Sequence, residues 1–297
     1  MKAAPFEYSR PADIDEACAL LGAEEGARIV AGGQTLVPMM AMRLSRPTRL
    51  VDIARIASLC CIREDADGLV IGAATRQCVV ERDPVVASRL PLIAAMMPWI
   101  GHAATRARGT VGGSLANADP AAELALAAVT LDATLSYREA GRDDDGEILA
   151  AEFFLGPTIT ALPAAACLTG VRFPIWREQR LGVGFHEVSA RRSDFAFVSA
   201  AAQVALDADG VCRRAAIGIG AIADVPIRLP AAEQALAGER PDAERLRSAV
   251  ASDLADIEVA SDLHASAAYR RRVAATLAER AVTDACEQAK RRGPHAR

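Results

Sequence analysis

Two strand-length apolar runs, Phe195–Leu206 and Val211–Ala221, are separated only by Asp207-Ala208-Asp209-Gly210. So short a link, ending in a glycine, permits a hairpin and little else. A third strand-like run, Gly182–Ser189, precedes the pair. Helical spacing then follows around Ala231–Ala237, Asp242–Leu254 and Ala265–Ala289. Consecutive strands followed by consecutive helices predict an α+β domain with a small antiparallel sheet. The change of character near Pro174 predicts two domains, at residues 1–177 and 178–297.

The first part mixes strands with helices. Ile14, Ala17, Cys18 and Leu21 recur at helical spacing behind Asp13, and Gly22 can close that helix. The run Ala27–Val30 reads as a strand delivered into Gly32-Gly33. Further strands fit Arg49–Ile53, Leu69–Ala73, Thr134–Arg138 and Cys167–Phe173, with helices around Val86–Met97 and Ala121–Leu131. Gly141–Gly146 is a polar surface turn.

Bulk properties exclude several classes. A net charge of −4 and an aromatic fraction of 4% give neither a basic field nor stacking platforms for nucleic acid. No apolar run approaches a membrane span, and Met1–Glu7 runs into charge without a signal-peptide core, so a cytoplasmic protein is expected. Seven cysteines without regular spacing suit neither a disulfide framework nor a metal cluster. The vicinal Cys60-Cys61 reads as small core residues. Met39, Met40 and Met42 read as core filling, and Lys290-Arg291-Arg292 with Arg297 as a solvated helix end.

Chemistry concentrates in two glycine turns, Ala31-Gly32-Gly33-Gln34-Thr35 and Thr110-Val111-Gly112-Gly113-Ser114. A glycine pair permits positive φ and removes the Cβ atoms that block close approach to a ligand. Successive N–H groups then converge on an anion, and Thr35, Thr110 and Ser114 can add hydroxyl donors. Alone, either motif is simply a turn; together they can clasp a pyrophosphate. No GxxxxGK[ST] loop is present, neither turn has the GxGxxG spacing, and Gly218-Ile219-Gly220 lacks the third glycine within a predicted strand.

The two turns resemble the paired FAD motifs of the medium subunits of molybdenum hydroxylases of the carbon monoxide dehydrogenase and xanthine dehydrogenase type. Pro5-Phe6-Glu7-Tyr8, Leu168–Pro174, Arg191-Arg192-Ser193-Asp194-Phe195-Ala196 and Ala268–Val273 resemble other family segments, so the likeness spans the chain. Ser193 stands where the family commonly has glycine. The resemblance implies an α+β protein: a vanillyl-alcohol-oxidase-type (PCMH-type) FAD-binding domain of two α/β subdomains, then a C-terminal α+β domain. It implies non-covalent FAD, with molybdopterin cofactor on a large partner subunit and two [2Fe–2S] clusters on a small one. A dimer of heterotrimers relaying electrons to an external acceptor is expected.

Carried over by position, Ile29, Val30, Ala31, Gly32, Gly33, Gln34, Thr35 and Leu36 wrap the pyrophosphate. Thr110, Val111, Gly112, Gly113 and Ser114 form the opposing clamp, with Ser114 where asparagine is frequent. Glu123 stands where relatives carry an aspartate near the ribose or pyrophosphate, or else is simply an acidic residue in a first helical turn. Ile100 and Leu168 match apolar positions lining the cofactor, or plain core. His102 is expected to be structural. Relatives place a lysine near the flavin where Gly184–Glu187 stands here, so His186 is the candidate donor to the flavin and Phe195 a candidate ring neighbour; both also fit as ordinary strand residues. No acid–base pair, nucleophile or metal set is implied, because electron transfer is the cofactor's chemistry. The rival readings are a stand-alone flavin oxidase and a flavin-free scaffold subunit.

Overall fold

The structure is a computed structural model describing residues 2–142 and 144–292. Met1, the Asp143 of the polar turn and Arg297 of the expected helix end lie outside the described residues. The chain forms two compact units. One comprises Met1–Asp83, His102–Ala118 and Ala133–Pro174; the other comprises Pro84–Gly101, Asp119–Asp132 and Ile175–Arg297.

The first unit holds two main sheets. Strands β1 (Glu7–Ser9), β2 (Arg28–Val30) and β3 (Arg49–Asp52) lie parallel in the order β1-β3-β2. Parallel neighbours need crossovers, and the helices Ile14–Ala23 and Leu36–Ala41 supply them. Asp13 caps the first helix by accepting the Glu16 N–H at 2.9 Å, and its Ala17 and Cys18 pack with Val51, Ile53 and Cys167. The second sheet is antiparallel. It contains β4 (Ile62–Glu64), β5 (Gly68–Gly72), β6 (Thr134–Arg138), β7 (Gly146–Leu149) and, after the hairpin of β8 (Phe154–Gly156) and β9 (Ile159–Thr160), β10 (Cys167–Pro174). Their order is β4-β5-β10-β6-β7.

In the second unit β11 (Arg180–Ser189), β12 (Ala196–Leu206), β13 (Cys212–Gly220) and β14 (Ile227–Arg228) form an antiparallel meander. The expected hairpin is built by Asp207, whose carboxylate accepts the N–H groups of Asp209 and Val211 at 2.9 Å each. Period-two alternation then sorts every strand. Ala200, Ala202, Ile217 and Ile219 face the helices Pro230–Leu236, Ala243–Ala255 and Ala267–Arg291, meeting Leu236, Val250, Leu277 and Ala281. A Cβ on Gly182 or Gly184 would collide with the carbonyls of Ala285 and Ala281, so bare backbone lets the last helix lie close. The other face carries Leu126 and Thr130 of the Glu123–Thr130 helix, packed over Gly218. Trp99 packs there too, edge-on to Phe185 at 5.7 Å between centroids.

The expected strands and helices are present, and β1, β4, β7 and the short β8, β9 and β14 are additional. Runs of two to four residues are too short for alternation to reveal. The helical stretch expected around Val86–Met97 is present as the helices Pro84–Arg89 and Pro91–Met96, parted at Pro91, which lacks the N–H that would continue the first. Two side-chain expectations need correction. Cys60 is exposed, and among the three methionines Met40 alone is buried while Met42 stands in solvent. Both sit in irregular segments after short helices, where periodicity gives no inside or outside.

Candidate functional site

The first glycine turn leaves β2 and enters the Leu36–Ala41 helix. Gly33 has φ +69°, which an L side chain rarely adopts. The Gly32 carbonyl accepts the Gln34 side-chain amide at 2.9 Å, and the Gly33 and Thr35 carbonyls accept from Val37 and Met39 at 3.1 Å each. The carbonyls are thus engaged within the turn. By contrast, the N–H groups of Gly32, Gly33, Gln34 and Thr35 have no acceptor among the described residues. Consecutive free amides at a helix start form an anion-binding arrangement.

The second turn is built differently. Thr110, almost fully buried, caps the Val111–Asn117 helix, its hydroxyl accepting the Gly113 N–H at 3.1 Å. Val111 N–H donates to the Thr75 carbonyl at 3.0 Å, Gly112 N–H to Ala73 at 2.9 Å and Ser114 N–H to Thr110 at 3.1 Å. Its backbone donors are therefore consumed internally. The Ser114 hydroxyl, half-buried, is left without a recorded partner among the described residues. Arg76 was not singled out from sequence, yet it secures this segment by donating to the carbonyls of Ala107 (3.3 Å) and Arg108 (2.8 Å). An isolated surface arginine gives no sequence signal for such a role.

The two turns meet. A Cβ on Gly32 would lie 2.5 Å from the Arg108 carbonyl oxygen and 2.6 Å from the Gly109 Cα. One built on Gly113 would be 3.8 Å from the Ala31 Cβ. Two motifs distant in sequence thus form one backbone surface on which side chains are excluded and four donors stay open. That surface fits a pyrophosphate. Ile29 and Val30 lie in β2, half-buried, and Leu36 begins the helix. Leu168 lies in β10 of the same unit, buried beside a bulge.

The remaining candidates belong to the second unit. Ile100, mostly buried, ends the Met97–Trp99 turn, and Glu123 opens the Glu123–Thr130 helix. The His186 Nε2 lies 2.8 Å from the Asp284 carboxylate on the last helix, on the β11 face shared with Gly182 and Gly184. Phe185 and Glu187 face the other way, toward Trp99 and Glu123. Phe195 is 70% exposed, just before β12. Ser193, standing for the family's glycine, adopts φ +66°, so the local backbone keeps the left-handed turn that glycine would favour. His102 is exposed at the start of a one-turn helix in the first unit. Among the described residues no group of three or more His, Cys, Asp or Glu is placed to hold a metal, and no helix is long and apolar enough to cross a membrane.

A parallel sheet delivering an open glycine turn, an antiparallel second sheet and an α+β unit define a class of protein able to cradle a phosphate-bearing ligand. Residues 4–176 match the family described as FAD binding domain in molybdopterin dehydrogenase, and residues 184–285 match the CO dehydrogenase flavoprotein C-terminal domain. The nicotine 6-hydroxylase medium subunit of Paenarthrobacter nicotinovorans is 33% identical over 96% of this chain and 99% of its own length. The carbon monoxide dehydrogenase medium chain of Afipia carboxidovorans is 34% identical over 96% of this chain and 98% of its own. Carbon monoxide dehydrogenase from Hydrogenophaga pseudoflava superimposes with a TM-score of 0.92 at 31% identity, covering 97% of this chain and 99% of that one. This chain belongs to the family of FAD-binding medium subunits of molybdenum hydroxylases.

Proposed function

We propose that the chain is the FAD-carrying relay of a molybdenum-containing hydroxylase. It would receive electrons from the [2Fe–2S] clusters of a small subunit and pass them to an external acceptor. The observation that carries the reading is the joined backbone surface: four open amides from Gly32 to Thr35, with Gly32 abutting Arg108 and Gly109. Bound FAD supplies the one- and two-electron redox chemistry; the residues bind and orient it. The amides of Gly32, Gly33, Gln34 and Thr35 would take the pyrophosphate oxygens, with Ile29, Val30, Ala31 and Leu36 as the supporting strand and helix start. From the second turn the Ser114 hydroxyl would donate, while Thr110, Val111, Gly112 and Gly113 hold the wall behind it. Ile100 and Leu168 would give apolar contact, and Glu123 a polar one.

The large molybdenum-cofactor subunit and the small [2Fe–2S] subunit are the expected partners, in a cytoplasmic dimer of heterotrimers. Relatives named as medium subunits or chains support a multi-subunit assembly. The test is co-expression with the two neighbouring subunits. A complex should form that carries flavin absorption and releases FAD into the supernatant on acid precipitation. Flavin staying with the precipitate would overturn non-covalent binding, and a flavin-free complex would overturn the relay.

A further inference from the structure

In the first unit the buried and half-buried arginines Arg49, Arg106, Arg138 and Arg172 each meet a carboxylate. Arg76, half-buried in the same unit, meets none among the described residues. Its Nη1 donates instead to the carbonyls of Ala107 at 3.3 Å and Arg108 at 2.8 Å. The backbone around Arg76 is pinned, so the side chain is aimed. Gln77 N–H donates to the Gly109 carbonyl at 2.9 Å, and Val111 N–H to the Thr75 carbonyl at 3.0 Å. The Thr75 hydroxyl bridges the N–H and the carbonyl of Cys61 at 3.1 Å each. The Arg108 carbonyl oxygen is also the atom that Gly32 abuts, 2.5 Å from where a Cβ would stand. A partly desolvated cation without a counter-ion is unfavourable, and this one lies a single carbonyl away from the open amides of Gly32 to Thr35.

We propose that Arg76, outside both glycine motifs, is a positioning residue for the dinucleotide: it holds the Arg108 carbonyl and supplies the positive charge that the pyrophosphate of FAD balances. The inference rests on the FAD reading above. A carbonyl oxygen packed against an anion site presents its negative end to the anion and opposes binding. Engaged by a guanidinium, the same oxygen becomes part of a group with net positive charge. Arg76 therefore acts on the phosphates through the Arg108 carbonyl and through space, not by contact. At that range, in a partly solvated site, one charge is worth about tenfold in affinity, and salt weakens it. The same bonds hold the Arg108 and Gly109 backbone against Gly32, so the ledge has its shape before the ligand arrives.

The experiment measures the dissociation constant of FAD on the full-length chain at about 50 and about 300 mM chloride, where screening differs strongly. ADP, which carries the pyrophosphate without the flavin, is titrated as a competitor. The chains are the parent, Arg76→Met, Arg76→Lys and Arg82→Ala. At low salt Arg76→Met should weaken FAD and ADP alike by about tenfold, and its affinity should depend less on salt than the parent's. A lysine ammonium keeps the charge and has donors for the same two carbonyls, so Arg76→Lys should stay within about threefold of the parent. Arg82→Ala removes an equal charge from the exposed end of the Gln77–Arg82 helix and should bind as the parent does. Thermal melts of the apo-variants separate affinity from folding. Parental affinity in Arg76→Met, a lysine variant as weak as the methionine one, or a loss for FAD that ADP does not share would each overturn the assignment. If Arg76→Met does not fold, the parent decides the question, since an FAD affinity indifferent to salt would equally overturn it. A parent that binds no FAD at either salt would overturn the cofactor reading instead.

Discussion

The two glycine turns read almost alike in sequence and are used in opposite ways. The first keeps its carbonyls engaged and its four amides open; the second spends its amides on Ala73, Thr75 and its own threonine cap. In the first, glycine is required by positive φ at Gly33 and by the contact with Arg108 at Gly32. In the second, it is required by packing: a Cβ on Gly112 would lie 2.5 Å from the Ala73 Cβ and 2.8 Å from the Ala73 carbonyl oxygen. A repeated motif therefore does not imply a repeated function. In the proposed function the first turn supplies the backbone donors and the second chiefly the wall behind them.

Variants can break this contrast. The largest effect is expected from Gly32→Val, whose side chain has backbone atoms, not a yielding side chain, in its way. Bound flavin per chain should fall below about a tenth of the parent with far-ultraviolet dichroism retained, since the turn is displaced from the phosphates. Parental flavin content in that variant would end the donor-surface assignment. Gly112→Ala should act chiefly on stability, costing about 1–3 kcal/mol by overpacking. Urea unfolding measures this, and a stability unchanged from the parent would contradict the wall role.

Thr110→Val removes the cap that accepts the Gly113 N–H and should cost about 1 kcal/mol in the same unfolding experiment. If it instead abolished flavin binding at full stability, Thr110 or the backbone of the second turn would contact the flavin nucleotide directly. Smaller still, Ser114→Ala removes a single hydroxyl and should weaken FAD by about tenfold at most, read by titration. Gln34→Ala frees the Gly32 carbonyl but touches no open amide, so a change of only about twofold is expected. An effect of Gln34→Ala exceeding that of Ser114→Ala would reverse the assigned order.

Much of this was legible in the sequence wherever a local rule operates. The Asp207–Gly210 hairpin, the strand entering Gly32-Gly33, the Asp13 cap and the terminal helices all follow from neighbours in the chain, through turn chemistry, capping and periodicity. Tertiary structure decided the rest. Chain order does not reveal that Pro84–Gly101 and Asp119–Asp132 pack with the C-terminal sheet, because a helix's apolar stripe does not name the surface it will meet. Nor does composition reveal that Thr75 and Ala73 would take the second turn's amides, a pairing made by residues far apart in the sequence. The same limit governs His186 and Glu187. Adjacent residues on a strand point to opposite faces, so a one-residue difference in register exchanges their surroundings completely. The sequence by itself determined the longer strands, the hairpin turn and the terminal helices, since those preferences act over a few residues. Which donors stay open and which face meets which helix depended on contacts between distant segments, and those exist only once the chain has folded.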